Sequence, residues 1–523
     1  MRCLLLVLSL ACAVEETPTP AGPPPPRPVG AAPPRDEAGA FVDISEWAGL
    51  GGPLQSPGDG ITAFDLDRDG DDDLLVPRVD SGLAFYRNQA DGSFGYAEPV
   101  PGIGSAQAAY VAELTGDGAP DVLAIDSSNL WLLEVDSGGS LRIAREFPEL
   151  VSAGRFSIAT FGDFSFSGRL GVYVGRMPDG GDDVPVAERR TRGVCGEETF
   201  PSSFDPVPGL FLEPAGLTDA TAAAGITAIT RAQAALAADV NSDGALDLVI
   251  GTEGKHEDLV YLGDGRGRFV ERGASLGYTE KTSAMGFDVA DVDGDGVPEI
   301  AVADSNPVLR LWVSDGKGAY RDEAPDRGFD VVSSFSSWGI GFVDFDLDGD
   351  LDFFSANSRP EADGCTSPAM ERLLFMNDGL GHFERFAPDA ATPLDEISEA
   401  RGAAFADFDL DGDVDVAVAS VDREPQILRN DLPRLGHTLF VSLDFIYYSP
   451  AVGAVVHVDA GGKRFSRWVV GTPSFGGSSS EWIHFGLGSA TTYDSIEVRW
   501  PHGVVQKEVG GPADRRVAIR LRQ

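Results

Sequence analysis

Residues Asp407 to Asp415 read DFDLDGDVD, with carboxylates at the first, third, fifth and ninth positions and Gly412 at the sixth. Alternate side chains of a tight loop can turn inward onto one point, and a hard cation such as Ca²⁺ takes six to eight oxygen ligands. The glycine allows the sharp turn that offers the main-chain carbonyl of the seventh residue. Without a cation the cluster is unfavourable, since two like charges about 4 Å apart repel by roughly 4 kcal/mol at an effective dielectric of about 20. The stretch therefore reads as a metal loop with Asp407, Asp409, Asp411 and Asp415 as side-chain ligands.

The frame recurs. DLDRDGDDD supplies Asp65, Asp67, Asp69 and Asp73, and DFDLDGDLD supplies Asp344, Asp346, Asp348 and Asp352. DVNSDGALD offers Asp239, Asn241, Asp243 and Asp247, and DVDGDGVPE offers Asp291, Asp293, Asp295 and Glu299. ELTGDGAPD is weaker, because Thr115 stands third among Glu113, Asp117 and Asp121. DFSFSGRLG, from Asp163, carries Ser165 and Ser167 and ends on Gly171, so it keeps the frame and loses the metal. Five or six calcium sites are expected. Successive starts lie 48, 50, 76, 52, 53 and 63 residues apart. A period near fifty marks an array or a propeller, here with insertions in the third and sixth intervals, from Arg176 to Ala234 and from Ser355 to Arg372.

Each loop follows a short run of small and apolar residues (GITAFD, AAYVAE, ALAAD, GAAFAD), and each except the third precedes a β-rich apolar run. Glycine and Asx turns at NQADGSF, GDGRGRF and NDGLGHF mark a second hairpin. Four short antiparallel strands per repeat make a propeller blade, and seven blades close without long free edges. The expectation is an all-β chain, a seven-bladed β-propeller over 41–433 with a small C-terminal antiparallel β domain over 434–523. The latter has strands at Thr438 to Asp444, Ala454 to Asp459 and Ser495 to Trp500, and reads either as a cap on the last blade or as a ligand site. An EF-hand is excluded, since its twelfth-position glutamate is replaced by Val76, Val302, Ser355 and Val418 within strands.

These units resemble the FG-GAP (VCBS-type) repeats of integrin α-subunit head propellers. FVDISEWAGL from Phe41 and TDATAAAGI from Thr218 resemble the cartilage acidic protein family. GAVVHVDAGGKR from Gly453 and HFGLGSATTYDSIEVRWPHGVVQ from His484 resemble the ASPIC/UnbV domain that follows such repeats in that family. The resemblance covers about residues 41 to 523. It implies an exported, calcium-binding propeller with no general enzymatic activity, whose relatives work in adhesion and matrix contact.

The formal net charge is −43, from 83 acids against 40 Lys plus Arg, which argues against nucleic acid or an anionic membrane surface as partner. Residues 1–13 form an export signal, with an apolar run from Leu4 to Ala11 too short to span a bilayer. Ala11-Cys12-Ala13 fits ordinary cleavage, giving a secreted protein. Ser9-Leu10-Ala11-Cys12 fits a bacterial lipobox, with Cys12 lipidated and the protein tethered to the cell envelope. Residues 14–40 are a Pro-rich tether. Cys195 and Cys365 lie in the two insertions, and export permits a disulfide between them, the alternative being two separate thiols.

The six histidines are scattered and no HExxH motif occurs. Gly273-Ala274-Ser275-Leu276-Gly277 matches a nucleophile-elbow pattern by chance, in a β repeat where no strand-to-helix turn is expected. The reading is a non-enzymatic interaction or adhesion protein, extracellular or on the cell surface, that binds a protein or glycan. The alternative is an extracellular carbohydrate-active enzyme of polysaccharide lyase type, which would need a Lys, Arg or His cluster in a cleft.

Overall fold

The computed structural model describes residues 33, 35, 40–50, 58–95, 98–136, 138–150, 155–177, 207–253, 256–304, 309–315, 319–329, 336–358, 371–387, 391–444 and 451–522. The expected export signal, Cys12, Cys195 and Cys365 lie outside these residues, as does nearly all of the expected tether.

Each loop joins the first two strands of a four-stranded antiparallel sheet. In the fifth repeat the strands are Gly286–Ala290, Glu299–Ala303, Leu309–Ser314 and Tyr320–Asp322, paired in that order. Among the described residues seven such sheets precede residue 431. Their first strands are Thr62–Phe64, Ala108–Ala112, Arg155–Gly162, Ala232–Ala238, Gly286–Ala290, Ser336–Val343 and Ala400–Ala406, each lying against the next and the last against the first. The sheets thus close into a propeller ring. Small residues dominate these strands because they crowd around one axis. At Gly341 a Cβ would sit 2.1 Å from the Phe405 ring of the next sheet. The second strands, such as Asp73–Arg78 and Asp415–Ser420, are buried throughout, which explains their continuous apolar runs.

Three features depart from the sequence reading. The third loop is also followed by a buried strand, Gly171–Met177, whose glycines and polar end obscure its apolar core. Leu210–Glu213 and Thr218–Asp219 complete the third sheet, so the 176–234 insertion contains two blade strands. Likewise Asp352–Ser358 extends the second strand of the sixth sheet into the 355–372 insertion. The last sheet is completed from the other end of the chain: Phe41–Asp43 pairs with Arg423–Asn430, Phe41 opposite Asn430. This pairing ties the beginning of the ring to its end.

The C-terminal region is a two-sheet sandwich. Lys463–Trp468, Val455–Ala460, Thr492–Arg499 and Val505–Pro512 form an antiparallel sheet. In the other, Thr438–Asp444 pairs antiparallel with Ile483–Gly486 but parallel with Arg515–Arg520. The domain is therefore mixed, where a purely antiparallel one was expected. Its core includes Leu439, Val441, Val456, Val458, Phe485, Ile496 and Val498.

This sandwich sits on the ring face that carries the acidic loops. The segment 469–482 leaves it and enters the channel. The Ser474 N–H donates to Phe287 O, the Ala63 N–H to Ser478 O, and the Ser480 N–H to Phe405 O, at 2.9 to 3.1 Å. Phe475 packs edge-on against Trp338 at 4.9 Å. Gly477 is required here, since a Cβ would lie 1.7 Å from Ile61 O. The domain caps several blades, and its own chain enters the channel.

Candidate metal centres

All seven loops share one backbone. The fourth residue has positive φ in each, from 53° at Phe166 to 84° at Gly116, and so does the sixth-position glycine, from 76° at Gly168 to 106° at Gly70. Leu347 and Leu410 hold this left-handed conformation at φ 65° and 57°, a strained state for a branched side chain that the surrounding loop must enforce.

The first-position acid organises the turn by accepting N–H donors from the fifth and sixth residues. Asp65 accepts from Asp69 and Gly70 at 3.0 Å each, and Asp239 from Asp243 and Gly244 at 3.1 and 2.8 Å. Asp163 does the same with Ser167 and Gly168, and the Ser167 hydroxyl also donates to it at 3.3 Å. In the third loop hydroxyl groups thus stand where acids stand elsewhere.

In four loops the first, third and fifth acids converge so that one oxygen from each lies within 4.8 Å of the others: Asp65, Asp67 and Asp69; Asp291, Asp293 and Asp295; Asp344, Asp346 and Asp348; Asp407, Asp409 and Asp411. Each group contains a buried oxygen with no hydrogen-bond donor: Asp67 Oδ1, Asp291 Oδ1, Asp344 Oδ1 and Asp409 Oδ1. An unpartnered buried carboxylate oxygen is costly, and a cation would satisfy it. Burial pushes the Asp291 and Asp407 carboxyls up to about 6, against the Gly296 N–H in one and Arg516 in the other. Asp344 is raised far more, by burial first, with Arg467 opposing and Asp348 and Asp346 adding repulsion. Bound metal would reverse these shifts, because ligands bind deprotonated.

The ninth-position acids are placed differently. Each begins the second strand and accepts backbone N–H groups at the base of the loop, on both oxygens in Asp73, Asp247, Asp352 and Asp415 and on one oxygen in Asp121 and Glu299. Asp352 accepts from Phe345 and Asn377 at 3.0 Å each, Asp247 from Val240 and Gly263, and Asp415 from Phe408 and Asn430. Asp73 does likewise with Leu66 and Asn88. Asp121 takes both of its donors from loop residues, Leu114 and Thr115, and Glu299 accepts from Val292. These six tie the loop to its own blade and stand outside the three-acid groups. Burial pushes Asp247 and Glu299 up to about 8.

The two remaining loops are less acidic. Asn241 Oδ1 accepts the Asp243 N–H at 2.9 Å, so it is committed within the fourth loop. In the second, Glu113 accepts the Gly116 N–H and Arg169 lies beside it, while Asp117 accepts the Ala119 N–H. Thr115 Oγ is buried and unpartnered.

Several participants carry no local sequence signal. Arg87 and Arg327 reach the third-position acids Asp67 and Asp293 at 2.5 and 3.2 Å. From the C-terminal region, Arg434 bonds Asp413 Oδ2 and Asp411 O, Leu435 N–H donates to Asp346 O, and Arg516 joins Gly70 O to Asp407. Asn88, Asn377 and Asn430, at the ends of third strands, donate to the second-residue carbonyls Phe408, Val292 and Phe345 of loops in other blades. Their recurrence one step before or within an Asx turn was the available signal. The serine in the GxSxG pattern belongs to a single helical turn, Gly273–Leu276, and its hydroxyl donates to Arg272 O.

Fold and loops together define an all-β propeller whose turns gather carboxylates that could hold cations and whose loop face is covered by a β sandwich. Residues 65–124 and 239–302 match the FG-GAP-like repeat, and 448–523 match the ASPIC and UnbV family. The chain combines these two matches. It is similar to cartilage acidic protein 1 of Homo sapiens, 23% identical over 85% of this chain and 69% of the relative. The Mus musculus protein of the same name is 24% identical over 85% and 70%. Among solved structures, BBS1N in complex with ARL6DN is 10% identical, covering 75% of this chain and 97% of the other with a TM-score of 0.44. The Dos1 propeller is 11% identical, covering 70% and 76%, with a TM-score of 0.36.

Proposed function

We propose that this protein is an exported, calcium-binding propeller that acts outside the cell or at its surface as an interaction or adhesion protein. The observation that carries the metal assignment is the set of four converging acid groups, each with a buried oxygen lacking a donor, on a backbone repeated seven times. Carboxylate-only, oxygen-rich donor sets suit Ca²⁺. The first, third and fifth side chains would hold the ion, with the ninth-position acid at the loop base and the weaker loops at Glu113 and Asp239 as further sites. Among the described residues no helix is long and apolar enough to cross a membrane.

A lyase-type centre would occupy an open cleft with a basic side chain, and the chain's own segment 469–482 enters the channel mouth and narrows it. The family relatives are named as a cartilage protein, which also favours binding over catalysis. Partner contact is assigned to the ring face away from the sandwich. The second strands Gly171–Met177 and Asp352–Ser358 run away from the metal loops, so both insertions start at that face, and a Cys195–Cys365 disulfide would need this. The test is a binding screen of the intact protein against matrix proteins and glycans, in millimolar calcium and in chelator. Calcium-dependent capture is expected. Absence of binding to every probe in both conditions, or turnover of a polysaccharide with unsaturated products, would contradict the reading.

A further inference from the structure

Between the ends of the innermost strands, the sandwich strand Thr438–Asp444 and the channel segment lies a cavity of about 400 Å³. This is within the range of about 300 to 1,000 Å³ usual for small-molecule sites. It is separate from the metal groups, sharing only Asp65 with them.

Its acidic and basic groups are unequal in number. Four carboxylates line it, Asp65, Asp288, Asp444 and Glu481, against two guanidiniums, Arg68 and Arg467. Asp65 belongs to a metal loop, and Asp288 is satisfied by the Val289 and Phe342 N–H groups at 2.8 and 2.7 Å. Even with Asp65 committed to a loop cation, acids exceed bases by one. Glu481 is the group without an answer. It lies deep in the molecule yet keeps accessible surface because it faces the cavity, and among the described residues no donor reaches its carboxylate. Burial, then repulsion from Asp72, Asp65 and Asp444, pushes it up to about 8, with Arg68 opposing.

The rest of the wall is largely apolar and aromatic, including Phe440, Trp468 and Trp482. With both oxygens of Asp65 and of Asp288 committed to backbone N–H groups, a bare metal ion would find too few free oxygens there. An ion with a hydrocarbon body would satisfy the carboxylates and be attracted to the ring faces, most strongly when desolvated. Phe440 and Trp482 already attract one such cation, the Arg516 guanidinium at 5.4 and 5.1 Å.

We infer that this cavity is a binding site for a small organic cation of the alkylammonium class, with Glu481 as its counter-ion and the aromatic wall enclosing its apolar part.

The experiment is calorimetric titration of the full calcium-loaded chain with n-butylammonium and with n-butanol, its neutral counterpart. One n-butylammonium per chain is expected to bind saturably, with n-butanol at least tenfold weaker. Glu481→Gln should lower n-butylammonium affinity at least tenfold. Glu497→Gln, altering a carboxylate of the same domain outside the cavity, should leave it unchanged. Lack of saturable binding, equal binding of the alcohol, or equal losses in the two variants would overturn the inference. Should Glu481→Gln fail to fold, the ammonium-to-alcohol ratio in the unmodified protein still decides.

Discussion

The loops at Asp344 and Asp407 lie beneath the sandwich, whereas those at Asp239 and Asp291 present their acids to solvent. The nonapeptide frame and its backbone are the same in both. At the first position Asp344 is 0% exposed and Asp407 4%, while Asp239 and Asp291 are half-buried; at the fifth, Asp348 and Asp411 are half-buried, while Asp243 and Asp295 are exposed. Gly486 of the sandwich presses on the sixth loop so closely that a Cβ would lie 1.8 Å from Asp344 Oδ2. One motif therefore serves in two environments. In the open loops a cation would stabilise a turn. In the covered loops it would also remove the cost of burying carboxylates under another domain, and so help seat that domain.

The largest difference should appear on breaking one loop of each kind. Asp346→Ala is predicted to destabilise the calcium-loaded protein by about 3 kcal/mol or more, because the remaining buried acids repel beneath the sandwich. Asp293→Ala should cost about 1.4 kcal/mol, the contribution of one site at about ten times its dissociation constant. Denaturant unfolding of both variants checks this, and equal losses would remove the distinction.

Chelation should act on the same contrast. Removing calcium is expected to raise deuterium uptake in 469–482 and 434–438 more than in the outer blade strand Tyr320–Asp322. A uniform increase would separate metal occupancy from docking of the sandwich.

Much of this organisation was legible in the sequence. The loops, their period and the sheet-per-repeat plan follow from DxDxDG spacing, because a turn that must hold a cation tolerates little variation. The closing strand Phe41–Asp43 was not legible as such, since a three-residue strand has no pattern of its own and its partner lies almost four hundred residues away. The channel segment VVGTPSFGGSSSEW reads as an ordinary polar loop. Its small residues are what a narrow channel admits, but only the fold shows the channel. The role of the ninth-position acid was also only half visible: its recurrence marks it as essential, while the two N–H donors it accepts come from the loop and often from a strand about fifteen to twenty-five residues on.

The two regions should also answer to pH in opposite senses. Asp291, Asp407, Asp247 and Glu299 have folded values above their ordinary ones. In metal-free protein their contribution is therefore complete below about pH 4 and is lost as pH rises through 6 to 8. His484 and His457 of the sandwich are pushed down to about 3 and about 4, by burial first and then by nearby arginines. Their contribution is complete above about pH 6.5 and is lost as pH falls toward 4 and 3. Hydrogen exchange on chelated protein, corrected for intrinsic rates, should show the metal loops loosening toward pH 8 and the sandwich loosening toward pH 4. Parallel responses would break the contrast.

An effect between those of the two loop variants is expected at the links between blades. Asn377→Ala removes donors to Leu351 O and Val292 O, and should cost roughly 1 to 3 kcal/mol without changing the number of ions bound.

The central claim is that these loops are calcium sites ranked by their oxygen donors, and counting ions by native mass spectrometry at saturating calcium tests it directly. Five or six Ca²⁺ per chain are predicted, one fewer in Asp409→Ala and no change in Ser165→Ala. A chain that retains no calcium, or one that loses an ion with Ser165→Ala but not with Asp409→Ala, would contradict it.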